Sequence, residues 1–193
     1  ARMQLGPLKG TRFEARNKEI VPGEPGAAAP ALWLASARAG YGVSLQADLD
    51  YLRDRTLKGR RHADAFDTWA HKAVQSVEGL GPRVEALARA TRKAIEDEGG
   101  LLDAEVVSAL EAGRGSRALT LSAALTAVGI RHRLIATRPK ARASAGPFLQ
   151  TSDFPYPLIE TEAGWIDPNQ DRAPLGFVPF PLRGSDGLVV WPP

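Results

Sequence analysis

The chain has 193 residues, 44% hydrophobic and 24% charged, with a formal net charge of +3. That balance suits one medium domain, or a domain with an appended piece, and excludes a disordered chain. The complete lack of cysteine excludes disulfides, thiolate metal sites and thiol nucleophiles together.

No run approaches the roughly 18 apolar residues that a spanning helix requires, so no membrane-spanning segment is expected. The mild positive charge argues only weakly for a nucleic-acid partner, and none is expected. The first residues, "ARMQLGPLKG", lack the charged-then-apolar pattern of a leader and do not begin with Met. They read as a cut edge or as the start of a mature chain.

Residues 1 to 43 read as an arm or linker, because "VPGEPGAAAP" is too rich in Pro and Gly for a regular helix. Helical periodicity begins with "SLQADLDYLRDRTL", where Leu45, Leu49, Leu52 and Thr56 share one face and Ser44 is placed to cap. In "HADAFDTWAHKAVQSVEG", Phe66, Trp69, Ala73 and Val77 form the next stripe. "GPRVEALARATRKAIEDEGG" is the cleanest pattern, with Pro82 in the first turn and Val84, Leu87, Ala88, Thr91 and Ile95 on one face. Gly99 and Gly100 are its expected stop. A shorter helix follows, capped by Asp103 and ended by Gly113.

The fifth helix, roughly residues 117 to 128, is apolar nearly all round, which marks it as buried. After Gly129 the pattern changes to short β-rich pieces: "RHRLIATR", "YPLIETE", "GWI" and "GLVVW". Helices first and strands afterwards give an α+β class, with an antiparallel sheet packed on a buried central helix. Residues 171 to 193 are too Pro-rich for a central strand and read as an extension packed on the domain at 44 to 170.

Two stretches, "SAALTAVGIRHRLI" and "FPYPLIETEAGWIDPNQ", resemble the core of the transglutaminase-like superfamily over residues 62 to 170. The first is similar to the body and exit of that family's catalytic helix. The second is similar to its His strand and Asp turn. The resemblance implies a papain-like core with a Cys, His and Asp triad. Counting back from Gly129 without a gap puts Arg114 at the Cys position, with Ser116 two residues on. Tyr156 stands at the His position, and only Asp167, in "WIDP", is retained.

The missing chemistry is specific. A guanidinium stays protonated and cannot attack, and a phenol is a poor general base near neutrality. The resemblance therefore implies a pseudoenzyme with no cofactor, in which Arg114 pairs with Asp167 and fills the old cleft. The arm also resembles the junction found in bacterial multidomain relatives, where a β-rich domain precedes this core. That likeness favours an extracytoplasmic location, periplasmic or secreted, and a cytoplasmic one stays open.

Several residues carry more than one reading. Ser116 is either a substitute nucleophile acting with Asp167 or the N-cap of the fifth helix, and the cap is favoured because no histidine lies near it in sequence. His62, His71 and His132 are not spaced as metal ligands, and His132, between arginines, reads as solvated. Asp167, Asn169 and Asp171 begin like a calcium loop, but Arg172 stands where Gly is required. An Asx-type turn is the plainer reading.

Arg53, Arg55, Lys58, Arg60 and Arg61 read as a solvated helix end. In the tail, Phe177, Phe180 and Leu182 read as staples onto the core. The expected function is a catalytically inactive scaffold or protein-interaction module with a protein partner. Its alternatives are a hydrolase or acyltransferase using Ser116 with Asp167, and a peptide- or carbohydrate-binding cleft in which Arg114, Tyr156 and Trp165 contact the ligand.

Overall fold

The computed structural model describes residues 2–5, 8–11, 44–61, 63–99, 105–139 and 150–192. His62, Asp103, Gly100 and the Pro/Gly/Ala-rich stretch lie outside these residues. The chain divides into two compact units, residues 1–38 and 39–193. In the first, β1 (Arg2–Leu5) and β2 (Leu8–Thr11) pair antiparallel with Arg2 opposite Thr11.

The second unit follows the helices-then-strands order. Helix α1 (Leu45–Gly59) starts at Ser44, whose hydroxyl accepts from the Ala47 amide, and buries Leu49, Leu52 and Thr56. Helix α2 (Asp64–Val74) buries Phe66, Ala70 and Val74, one residue per turn along a single face. The Trp69 ring tilts against Phe66 with centroids 5.4 Å apart.

Helix α3 (Leu80–Ala94) buries Val84, Leu87, Ala88 and Thr91, but it ends before the Gly99 stop suggested by the sequence. Ile95 is already extended and is 1% exposed, so it belongs to the core without belonging to the helix. The early stop frees Glu96–Asp97 to form β3, which pairs in parallel with β4 (Arg114–Gly115). Between them α4 (Val106–Ala112) ends at Gly113, whose φ of 70° is the left-handed closure that glycine provides most readily.

Helix α5 (Arg117–Ala127) is buried along most of its length; Leu121, Ala123, Ala124 and Leu125 are all fully inaccessible. It contacts α2, α3 and α4 on one side and the sheet on the other. The sheet has the order β7–β6–β5–β8 and is antiparallel throughout: β5 (His132–Thr137), β6 (Tyr156–Thr161), β7 (Gly164–Ile166) and β8 (Gly187–Trp191). Strand alternation sends Leu134, Ala136, Ile159 and Ile166 into the core with Val190.

The last strand lies at an edge, as its Pro-rich neighbourhood requires. Arg53 of α1 donates through Nε and Nη2 to the Val189 carbonyl at 3.2 and 2.9 Å, tying the first helix of this unit to its last strand. At the opposite edge the Gly176 amide donates to the Trp165 carbonyl at 2.8 Å. Among the described residues, no helix is long and apolar enough to cross a membrane.

A Leu121→Ala variant should lose about 3–5 kcal/mol, the transfer free energy plus a cavity that surrounding helices cannot close. Leu57→Ala, at a side chain 50% exposed, should change stability by less than about 0.5 kcal/mol. Urea unfolding of both variants checks the contrast.

Candidate functional site

Helix α5 begins where the β3–β4 bridge brings the exit of α3 alongside it. Gly115, at φ 145°, turns the chain into the helix in a conformation that a side chain would strain. Ser116 follows, 5% exposed, and its Oγ accepts from the Leu119 amide at 3.2 Å. Asp97 reaches across from β3, its Oδ1 accepting from the Arg117 amide at 3.1 Å. Two of the helix's first free amides are thus satisfied by the chain itself, which is how helix starts are stabilised. An incoming oxyanion would have to displace these acceptors.

A network of arginines and carboxylates surrounds this start. Arg117 donates to the Ile95 carbonyl at 2.7 Å and to Asp171 Oδ1 at 2.9 Å. Arg92 donates to the Gln170 carbonyl at 2.8 Å. Asp167 is 7% exposed and accepts from the Asn169 amide at 3.0 Å, so the turn is of the Asx type. Burial pushes the Asp167 carboxyl above its ordinary value; backbone amides and Arg92 oppose the shift, and Asp97 adds to it.

The residues singled out from the sequence do not converge on one cleft. Arg114, two residues ahead of the helix cap, is 68% exposed and pairs with Glu98 at 3.7 Å, while Asp167 faces Arg92 and Asp97. Tyr156 is 46% exposed at the first position of β6. Alternation from the core residue Ile159 puts it on the sheet face away from α5. Trp165 is on that outer face too, opposite Glu160. Ser116 and Asp167 do share the α5-start end of the domain, connected through Asp97.

A second polar cluster, at the far end of α5, gave little sequence signal. His132 is not solvated: its Nε2 lies 2.8 Å from Ser122 Oγ, and its Nδ1 lies 3.0 Å from the Ile130 carbonyl. The carbonyl can only accept, so Nδ1 carries the proton and Nε2 accepts from the serine hydroxyl. This is a serine–histidine pair in the tautomer that a nucleophile would need, yet Ser122 is fully buried. Its hydroxyl is closed off from solvent.

Arg60, expected on the solvated helix end, is 6% exposed and lies over the Trp191 ring at 4.0 Å. It donates to the Ser122 carbonyl at 3.2 Å and to Thr126 Oγ1, while its Nε and Nη1 have no hydrogen-bond partner among the described residues. Burial lowers its pKa to about 10. Burial likewise lowers His132 to about 4, with Arg60 adding to the shift and the Ile130 carbonyl opposing it. The signal available in sequence was a lone Ser in an apolar helix and a His after the helix-ending Gly.

The unfolded chain protonates His132 near 6.5, the folded one near 4, so falling pH favours unfolding. Stability should be intact above about pH 6.5 and decline toward pH 4, by on the order of 3 kcal/mol. His132→Gln should flatten that slope, read as melting temperature against pH. Ser116→Ala, which removes the α5 cap, should lose about 1 kcal/mol in urea unfolding.

No protein-family profile, no curated protein and no solved structure matches this chain.

Proposed function

We propose that this is a transglutaminase-like domain without catalysis, serving as a scaffold or protein-interaction module in a larger bacterial assembly. The α+β order, with an antiparallel sheet on a buried helix, agrees with such a core. The observation that carries the reading is the state of the α5 start. Its amides are taken by Ser116 and Asp97, and Arg114 points to Glu98 and solvent. A nucleophile needs a neighbouring base, and neither His71, bonded to the Asp67 carbonyl on α2, nor His132, at the far end of α5, serves this position.

The interaction role finds support in the tail. Of the three expected staples only Leu182 is buried; Phe180 is 82% exposed between Pro179 and Pro181, and Phe177 is 37% exposed. Exposed aromatics in a Pro-rich turn offer contact area that a partner can cover with little loss of side-chain freedom.

A serine-directed fluorophosphonate should leave Ser116 unmodified at neutral pH, as read by mass spectrometry of the digested protein. Stoichiometric labelling at Ser116, lost in Ser116→Ala, would establish the hydrolase reading instead. Phe180→Ser should leave the melting temperature unchanged while reducing capture of a protein partner by the intact chain.

A further inference from the structure

The alternation that buries Leu134 and Ile159 against α5 turns Ile135, Leu158 and Trp165 to the other face of the sheet. That face is not left bare. The segment between β7 and β8 folds back over it, held by the Gly176 amide on Trp165 and by a 2.6 Å bond from Arg138 to Asp186. Between strap and sheet lies a cleft of about 450 Å³, lined by Ile135, Leu158, Trp165, Val189, Leu182 and Arg183. Its volume falls within the range of small-ligand sites. Gly187 helps define it: a Cβ there would meet Ile135 Cγ2 at 2.7 Å, so glycine lets the strap return close to β5.

The polar groups around the cleft decide what it can hold. Thr137 donates its hydroxyl to the Tyr156 carbonyl at 2.7 Å, and Ser185 donates to the Pro181 carbonyl at 3.3 Å. Arg133 is neutralised by Glu160, with Nε to Oε2 at 2.6 Å. Arg183 differs. It is exposed and spends only Nε on the Val178 carbonyl, at 3.0 Å, and its two terminal amino groups have no partner among the described residues.

We infer that the cleft binds a small amphipathic carboxylate, its apolar body over Trp165 and Val189 and its carboxylate on Arg183. The apolar floor rewards burial of a chain or ring. A free guanidinium fork matches one carboxylate. The site is separate from the start of α5 and holds whether or not that end ever did chemistry.

Octanoate and octanol test this on the intact chain, with Trp165→Phe identifying the part of the tryptophan emission change that arises in the cleft. Octanoate should bind a few-fold more tightly than octanol, the scale of a charge pair at an exposed guanidinium added to the same apolar burial. Arg183→Gln should remove that preference and leave octanol binding unchanged. Arg183→Lys, which keeps the charge but not the fork or the bond to Val178, should retain part of it. Equal affinity for the two probes, an unchanged octanoate affinity in Arg183→Gln, or no emission change with either probe would each overturn the inference.

Discussion

Everything in the larger unit is arranged around one constraint: α5 has no face that water would favour. An amphipathic helix needs cover on one side, whereas this one needs it all round. Helices α2, α3 and α4 supply it on one flank and strands β5 and β6 on the other. Apolar side chains of this kind are each worth roughly 2 kcal/mol on burial, so the layers are held to the helix more than to one another. The helices-first, strands-second order gives a practical solution, since the chain can build one wall before the central helix and the other after it.

Enclosure on all sides makes the polar groups of α5 local problems with local answers. At its start, Ser116 and Asp97 satisfy the free amides. Further along, Thr120 returns its hydroxyl to the Ser116 carbonyl at 2.9 Å. At its middle, the Ser122 hydroxyl donates a hydrogen bond to His132, and Arg60 lies between the Ser122 carbonyl and the Trp191 ring. Buried cations ordinarily sit beside a carboxylate; this one has an aromatic face and neutral acceptors, and burial lowers its pKa accordingly. The buried Ser–His pair illustrates how little geometry alone says about catalysis, because hydrogen bonding within a core can reproduce a catalytic contact without access.

Much of the architecture was legible because periodicity records burial. Leu49, Leu52 and Thr56 were readable as one face of α1, and the four main strands appeared as short β-rich runs between turn residues. The capping role of Ser116 was readable too, from residue type and position. What escaped was set by partners distant in sequence. Ile95 continues the stripe of α3 by spacing, but the β3–β4 bridge requires it extended. Arg60 belongs by composition to a basic cluster, and partners distant in sequence, the Trp191 ring and the Ser122 and Thr126 oxygens of α5, draw it inside. His132 stands between two arginines, and its burial beside Ser122 of α5 had no signature in its immediate sequence. At the proposed former site, Asp167 was legible as a turn residue, whereas its neighbours Arg92 and Asp97 belong to the exit of α3.

The tie between Arg53 and the Val189 carbonyl spans 136 positions of sequence. That separation bears on the time course of folding. Loops of this length close slowly relative to helix formation, and contacts between distant positions delay the crossing of the folding barrier. During synthesis, α1 leaves the ribosome well before the strand it clasps, and α5 waits for part of its cover until β5 and β6 have been made. The nascent unit therefore carries exposed apolar surface through most of its elongation, and its final commitment to the folded state comes with the last strand.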